Sequence, residues 1–203
     1  MPTMWRPLPV RVPYQPQPYR KPPALLPDDT CPAGPKYPNR AVNDSGAGTI
    51  AWTNPDNARV TDDTYATAVT VAQTTQRLNA DDFRFLIASG QQIDGILVEV
   101  EAKVLALSGT LTCRIIKGGA ISSTTIDQTV TTTEQFISFG GASNLWGETW
   151  TAADINAVTF GVSVRDETAE TLTISVDSVR MTVYCSTPVA ANIPFRMLMG
   201  VGT

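Results

Sequence analysis

Proline is the feature that most constrains this chain. Twelve of the 15 prolines lie between Pro2 and Pro38, and only Pro55, Pro188 and Pro194 follow. Proline has no N–H to give to a ladder, and its ring fixes φ. The stretch MPTMWRPLPVRVPYQPQPYRKPPALLPDD therefore predicts neither helix nor central strand, but extended, largely polyproline II chain. Charge divides at the same place. Residues 1–40 carry Arg6, Arg11, Arg20, Lys21, Lys36 and Arg40 against Asp28 and Asp29, a net of +4; the whole chain is −4, so the remainder is −8. A basic extended arm on an acidic body predicts that the arm docks on something else.

Three readings of the arm compete. It is a solvated linker, a ligand for a small proline-reading domain through Pro35-Lys-Tyr-Pro38-Asn-Arg40, or a structural arm laid along a neighbouring subunit. Trp5, Tyr14, Tyr19 and Tyr37 are apolar anchors that a plain linker does not need, which favours the docked arm. The candidate partner-binding residues are Trp5, Arg6, Arg11, Tyr14, Tyr19, Arg20, Lys21 and Tyr37.

The body reads as strands. Thr and Val dominate, and several runs have period two: Ala66–Ala72, Phe83–Ile87, Ile93–Leu105, Leu111–Ile116, Gln135–Phe139, Val158–Val164 and Leu172–Tyr184. In the last of these the apolar phase slips between Val176 and Val179, which predicts a bulge near Asp177–Ser178. One short helix is expected at Thr151–Asn156, where Thr151 and Asp154 have the spacing of a capping box. Short strands without long helices predict an all-β protein, an antiparallel β-sandwich. The expected organisation is an arm over 1–47, a sandwich over 48–186 and a short apolar tail over 187–203, the tail holding Ile193, Phe195, Met197, Leu198 and Met199.

Several chemistries are disfavoured. Histidine is absent, which removes the commonest general base and metal ligand. The glycine pairs at Gly118-Gly119 and Gly140-Gly141 fit no phosphate-binding pattern and read as turns. The acidic pairs Asp62-Asp63 and Asp81-Asp82 read as solvated loop residues, with Ca²⁺ binding or a carboxylate hydrolase as the alternatives. No catalytic residue, cofactor or metal is assigned. Nucleic acid is an unfavourable partner for a body at −8. No run approaches the roughly 20 apolar residues of a membrane span, and no secretory signal is evident, so assembly in a cytoplasm is expected. Cys31, Cys113 and Cys185 are read as reduced, mostly buried thiols, with a Cys113–Cys185 bridge as the alternative.

Trp146 and Trp150 stand four residues apart in the stretch NLWGETWTAADINAVTFGVSV. They either stack on sugar rings as an exposed platform or pack at a corner of the core.

An ordered set of short motifs runs through the body: Trp52-Thr-Asn-Pro55, Asp63-Thr-Tyr65-Ala66, Leu78-x-Ala80-x-x-Phe83, Ile93-Asp-Gly95-Ile96, Lys117-Gly118-Gly119, Phe139-Gly140-Gly141, Leu145-Trp146-Gly147-x-Thr149-Trp150-Thr151, Asp154-Ile155-Asn156 and Phe160-Gly161-Val162. Over about residues 50–185 this order resembles a jelly-roll-like β-sandwich module of tailed-bacteriophage virion structural proteins. The resemblance implies a non-enzymatic protein of the virion. Its implied setting is a capsid decoration or cement protein on the capsid exterior, whose arm lies on the major capsid protein or other virion subunits. A homo-oligomer, with a trimer attractive on local three-fold axes, goes with that setting. The alternatives are a tail, neck or baseplate component and a carbohydrate-binding adhesin module.

Overall fold

The structure is a computed structural model that describes residues 29–168 and 170–188. It is all-β: two antiparallel sheets stacked as a sandwich. The first sheet holds β1 (Ala33–Lys36), β3 (Ala66–Thr70), β5 (Gln92–Val104), β9 (Gln135–Gly141) and β11 (Leu172–Ser186). The second holds β2 (Arg40–Asp44), β4 (Arg77–Asp81), β6 (Gly109–Lys117), β7 (Ala120–Ile121), β8 (Ile126–Val130) and β10 (Gly161–Asp166). Most connections carry the chain from one sheet to the other, which gives the winding its jelly-roll-like character. Among the described residues, no helix is long and apolar enough to cross a membrane.

Alternation builds the core. Along β5, Ile96, Val98, Val100, Ala102 and Val104 face inward, because successive strand side chains point to opposite faces. Leu111, Cys113 and Ile115 of β6 and Val162 and Val164 of β10 meet them from the other sheet. β11 changes phase where expected: Val176 pairs with Ala102 and Ser178 with Glu101, which leaves Asp177 as the extra, bulged residue. Leu172, Ile174 and Val176 are buried before the bulge and Val179, Met181 and Val183 after it.

The sandwich starts earlier than the expected boundary at residue 48. β1 and β2 come from the stretch read as arm, and Ala33 and Ala41 are buried in the core. Pro35 is tolerated because β1 is an edge strand pairing only with β11, where a missing N–H breaks no ladder. The expected strand at Phe83–Ile87 is also corrected. Phe83, Phe85 and Ile87 are buried in alternation, but Asp82 and Arg84 have φ of 58° and 53°, and left-handed residues cannot continue a ladder. The segment is instead a plug closing the sandwich, with Phe83 and Phe85 packed about Phe160. The Asn156 side chain holds it by accepting from the Ile87 N–H and donating to the Ile87 carbonyl, at 2.8 and 2.9 Å.

The single α-helix of the described residues, α1 (Ala152–Asn156), carries the expected capping box. Thr151 Oγ1 accepts from the Asp154 N–H, and the Asp154 carboxylate accepts from the Thr151 N–H. These bonds hold Asp154 below the usual carboxylate range, against the cost of its partial burial.

Candidate functional site

One pole of the sandwich gathers both ends of the described chain. Cys31 and Cys185 form a disulfide with a Cα–Cα distance of 5.4 Å across 154 residues of sequence. This corrects both cysteine expectations, reduced thiols and a Cys113–Cys185 bridge. Cys113 lies in the middle of β6 with its side chain in the core. Burial, with Asp127 nearby, pushes its thiol well above the ordinary value, so it remains neutral and unreactive. Around the bridge, Asp29 clasps the plug: the Asp29 N–H donates to the Leu86 carbonyl at 2.8 Å, and the Asp29 carboxylate accepts from the Leu86 N–H at 2.7 Å. Lys36 donates to the same carboxylate at 2.6 Å. The basic Pro-rich segment and the apolar tail therefore join the fold side by side. Together with Asp29, Thr30 and Thr187, the bridge lines a shallow recess at this pole.

Of the predicted arm residues, Trp5, Arg6, Arg11, Tyr14, Tyr19, Arg20 and Lys21 lie outside the described residues. Tyr37 belongs to the sandwich, in the β1–β2 connection, with its hydroxyl 3.2 Å from Thr61 Oγ1. The last arginine of the Pro35–Arg40 motif is committed as well: Arg40 forms a two-pronged pair with Asp81, which raises the Arg40 pKa.

The tryptophan platform does not form. Trp146 is fully buried, and its indole N–H donates to the Ile96 carbonyl at 3.0 Å. The backbone is left-handed at Trp146 and Gly147, with φ of 58° and 71°, which swings the ring into the core. Gly140 makes room for it, since a Cβ there would sit 2.4 Å from the Ile96 carbonyl and 2.8 Å from the indole nitrogen. Trp150 is half-buried edge-on to Phe160 at 5.4 Å and donates to the Leu145 carbonyl.

The two acidic pairs go to different places. Asp81 is taken by Arg40, whereas Asp63 joins Glu134 and Asp177 over the first sheet, their carboxylate oxygens within 4.8 Å of one another. Lys103 donates to Glu134 and to the Tyr65 hydroxyl, each at 2.8 Å, and Glu134 holds Lys103 above its ordinary value. Asp177, buried at the bulge, is pushed up to about 6 by desolvation and by the Glu101 carboxyl, against the Asp62 N–H that it accepts. The three oxygens are of the type that a hard cation takes. Lys103 already neutralises part of the cluster, and Asp177 holds a proton readily.

The outer face of the second sheet carries a polar floor. Asn79 of β4, Ser163 of β10 and Arg114 of β6 stand directly opposite one another. Arg165 and Thr112 form the next row, with Arg77 beside them and Glu167 at the edge. Asp44 organises one side, accepting from Arg77 and Asn79 at 3.4 and 3.3 Å. The Gly46 N–H, followed by Arg77 and Asn79, lowers the Asp44 pKa against desolvation. Arg165 pairs with Glu167. The residue pattern hides this floor, because its members alternate with core residues on strands that become neighbours only after folding.

No family model matches the sequence, and no curated protein matches it. Among solved structures, the chain is similar to the ligand-free BiXyn10A CBM1, with 12% identity and a TM-score of 0.39 over 72% of this chain and 98% of that one. It is similar to a CBM4 structure at 16% identity and a TM-score of 0.38, over 75% and 99% of the two chains. It is also similar to the family 11 carbohydrate-binding module from Clostridium thermocellum in complex with a β-1,3-1,4-mixed-linked tetrasaccharide, at 9% identity and a TM-score of 0.36 over 70% and 86%. Likeness at this level names no ligand for this chain.

Proposed function

We propose that this chain is a non-enzymatic structural protein of a tailed-phage virion, a capsid decoration or cement protein anchored by the segments that flank its sandwich. The observation that carries the reading is the Cys31–Cys185 clamp. It brings the Pro-rich basic segment and the apolar tail off the body at one pole. Two adjacent tethers on one pole let a rigid body stand out from a surface while both tethers bind that surface. Linked attachments raise effective affinity without further contact by the body, and proline reduces the entropy that an extended segment loses on ordering. The major capsid protein is the partner in this reading, and repetition around a local symmetry axis goes with a homo-oligomer. A density map of the assembled particle tests it: the clamped pole should face the shell exterior. Density for the sandwich in the tail or baseplate, or with the clamped pole pointing outward, would replace the reading.

A second reading, carbohydrate binding, is favoured by the polar floor of Asn79, Ser163, Arg114, Arg77 and Arg165 rather than by the tryptophans. That floor lies on the outer side of the second sheet, where alternate side chains already stand in rows. The two readings are compatible, since a displayed module has a free face. Binding of any oligosaccharide to the full chain tests it.

A further inference from the structure

The floor on the second sheet has unmet hydrogen-bonding capacity of two opposite kinds. Asn79 Oδ1 is buried with no donor, although its amide group is held by Asp44. A buried acceptor left unpaired forfeits the hydrogen bonds it made to water, so it is a standing demand for a donor. Two strands away, Arg114 has no carboxylate within ion-pair distance among the described residues. Its planar guanidinium suits a two-oxygen anion. Between them lies Ser163, only 3% exposed, whose hydroxyl can both give and accept. Strands lie about 4.8 Å apart and same-face residues about 6.6 Å along a strand. Three strands and two rows therefore make a patch of roughly 10 by 7 Å, close to the footprint of a sugar ring.

The rim narrows the ligand. Asp44, Glu167 and Asp127 surround the patch, and Thr112 Oγ1 donates to Asp127 at 2.7 Å. Asp44 and Glu167 are paired with Arg77 and Arg165, so the face carries no large positive field for a dense polyanion such as a polyphosphate or nucleic acid, and the −8 balance of the chain beyond residue 40 opposes one. A neutral sugar would satisfy Asn79 and Ser163 but leave Arg114 unmatched. A sugar with one carboxylate meets all three groups.

We propose that this face binds the carboxylate-bearing sugar units of an acidic oligosaccharide, with the carboxylate on Arg114 and ring hydroxyls on Asn79 and Ser163. The proposal rests on the carbohydrate-binding reading and is independent of the anchoring one. The test is calorimetric titration of the full chain with tetragalacturonate, sialyllactose and cellotetraose. Either acidic probe should bind at least about tenfold more tightly than cellotetraose, and which one binds distinguishes a uronate from a sialate. Arg114→Gln should weaken the acidic probe by about tenfold or more, a loss typical of a charge-assisted pair, with an unchanged thermal midpoint. Arg59→Gln, on a loop over the other sheet, should change nothing. Cellotetraose binding as well as the acids, unaffected by Arg114→Gln, would overturn the acidic specificity and leave carbohydrate binding standing. No binding of any probe would overturn both.

Discussion

At Asp177 the backbone slip and the chemistry coincide. The bulge leaves this residue without a ladder partner and buries its carboxyl beside Glu101; desolvation first, and Glu101 with it, push the carboxyl up to about 6. The folded state thus keeps a proton there to about pH 6, whereas the unfolded chain keeps it only to about pH 4. Stability from this group therefore rises as pH falls from about 6 to 4, and the penalty of the buried charge is present at pH 7. Asp177→Asn should raise stability at pH 7 by about 1–2 kcal/mol and flatten the rise toward pH 5. Urea midpoints at both pH values check this, and a loss of stability at pH 7 would contradict it. Asp44 and Asp154 are shifted down, so their contributions fade only below about pH 4, outside that window. Trp146 makes the complementary case. Its burial and its bond to Ile96 predict that Trp146→Ala costs about 3–5 kcal/mol, read as a fall in thermal or urea midpoint.

At the scale of elements, legibility followed how local the determinant was. β5 could be read because its alternation is unbroken from Ile96 to Val104. α1 could be read because Thr151 and Asp154 cap it through side chains three apart, and Thr151→Ala should cost about 1 kcal/mol by chemical denaturation. The plug could not be told from a strand, since Phe83, Phe85 and Ile87 have strand period and only the left-handed turns at Asp82 and Arg84 break it. β1 was obscured by Pro35 and the prolines around it, because edge position is a property of the assembled sheet. β4 (RLNAD) has little strand character, and it is β2 and β10 on either side that make it one. The polar floor was invisible for the same reason, since Asn79, Ser163 and Arg114 meet only through pairing across 35 residues or more.

For the whole molecule, the clamp ties strand β11 to the residue from which the Pro-rich segment departs. Loop-closure entropy over so long a span predicts that Cys31→Ser with Cys185→Ser lowers stability by about 2–5 kcal/mol. Unfolding with and without reductant should show the same loss for the wild-type chain and none for the double variant. The clamp also marks where an anchoring test must cut. Deleting residues 1–40 would remove Cys31 and all of β1, confusing attachment with folding, whereas a chain of 29–188 keeps every described strand. For the capsid-decoration role proposed above, the most direct measurement is the occupancy of that shortened chain, compared with the full chain, on phage shells lacking this protein, after far-UV circular dichroism shows that both are folded. Anchoring by the flanking segments predicts saturable decoration by the full chain and a loss of at least about tenfold for 29–188, as expected when linked attachments are removed. Equal occupancy of the two would place the attachment on the sandwich itself and contradict the account.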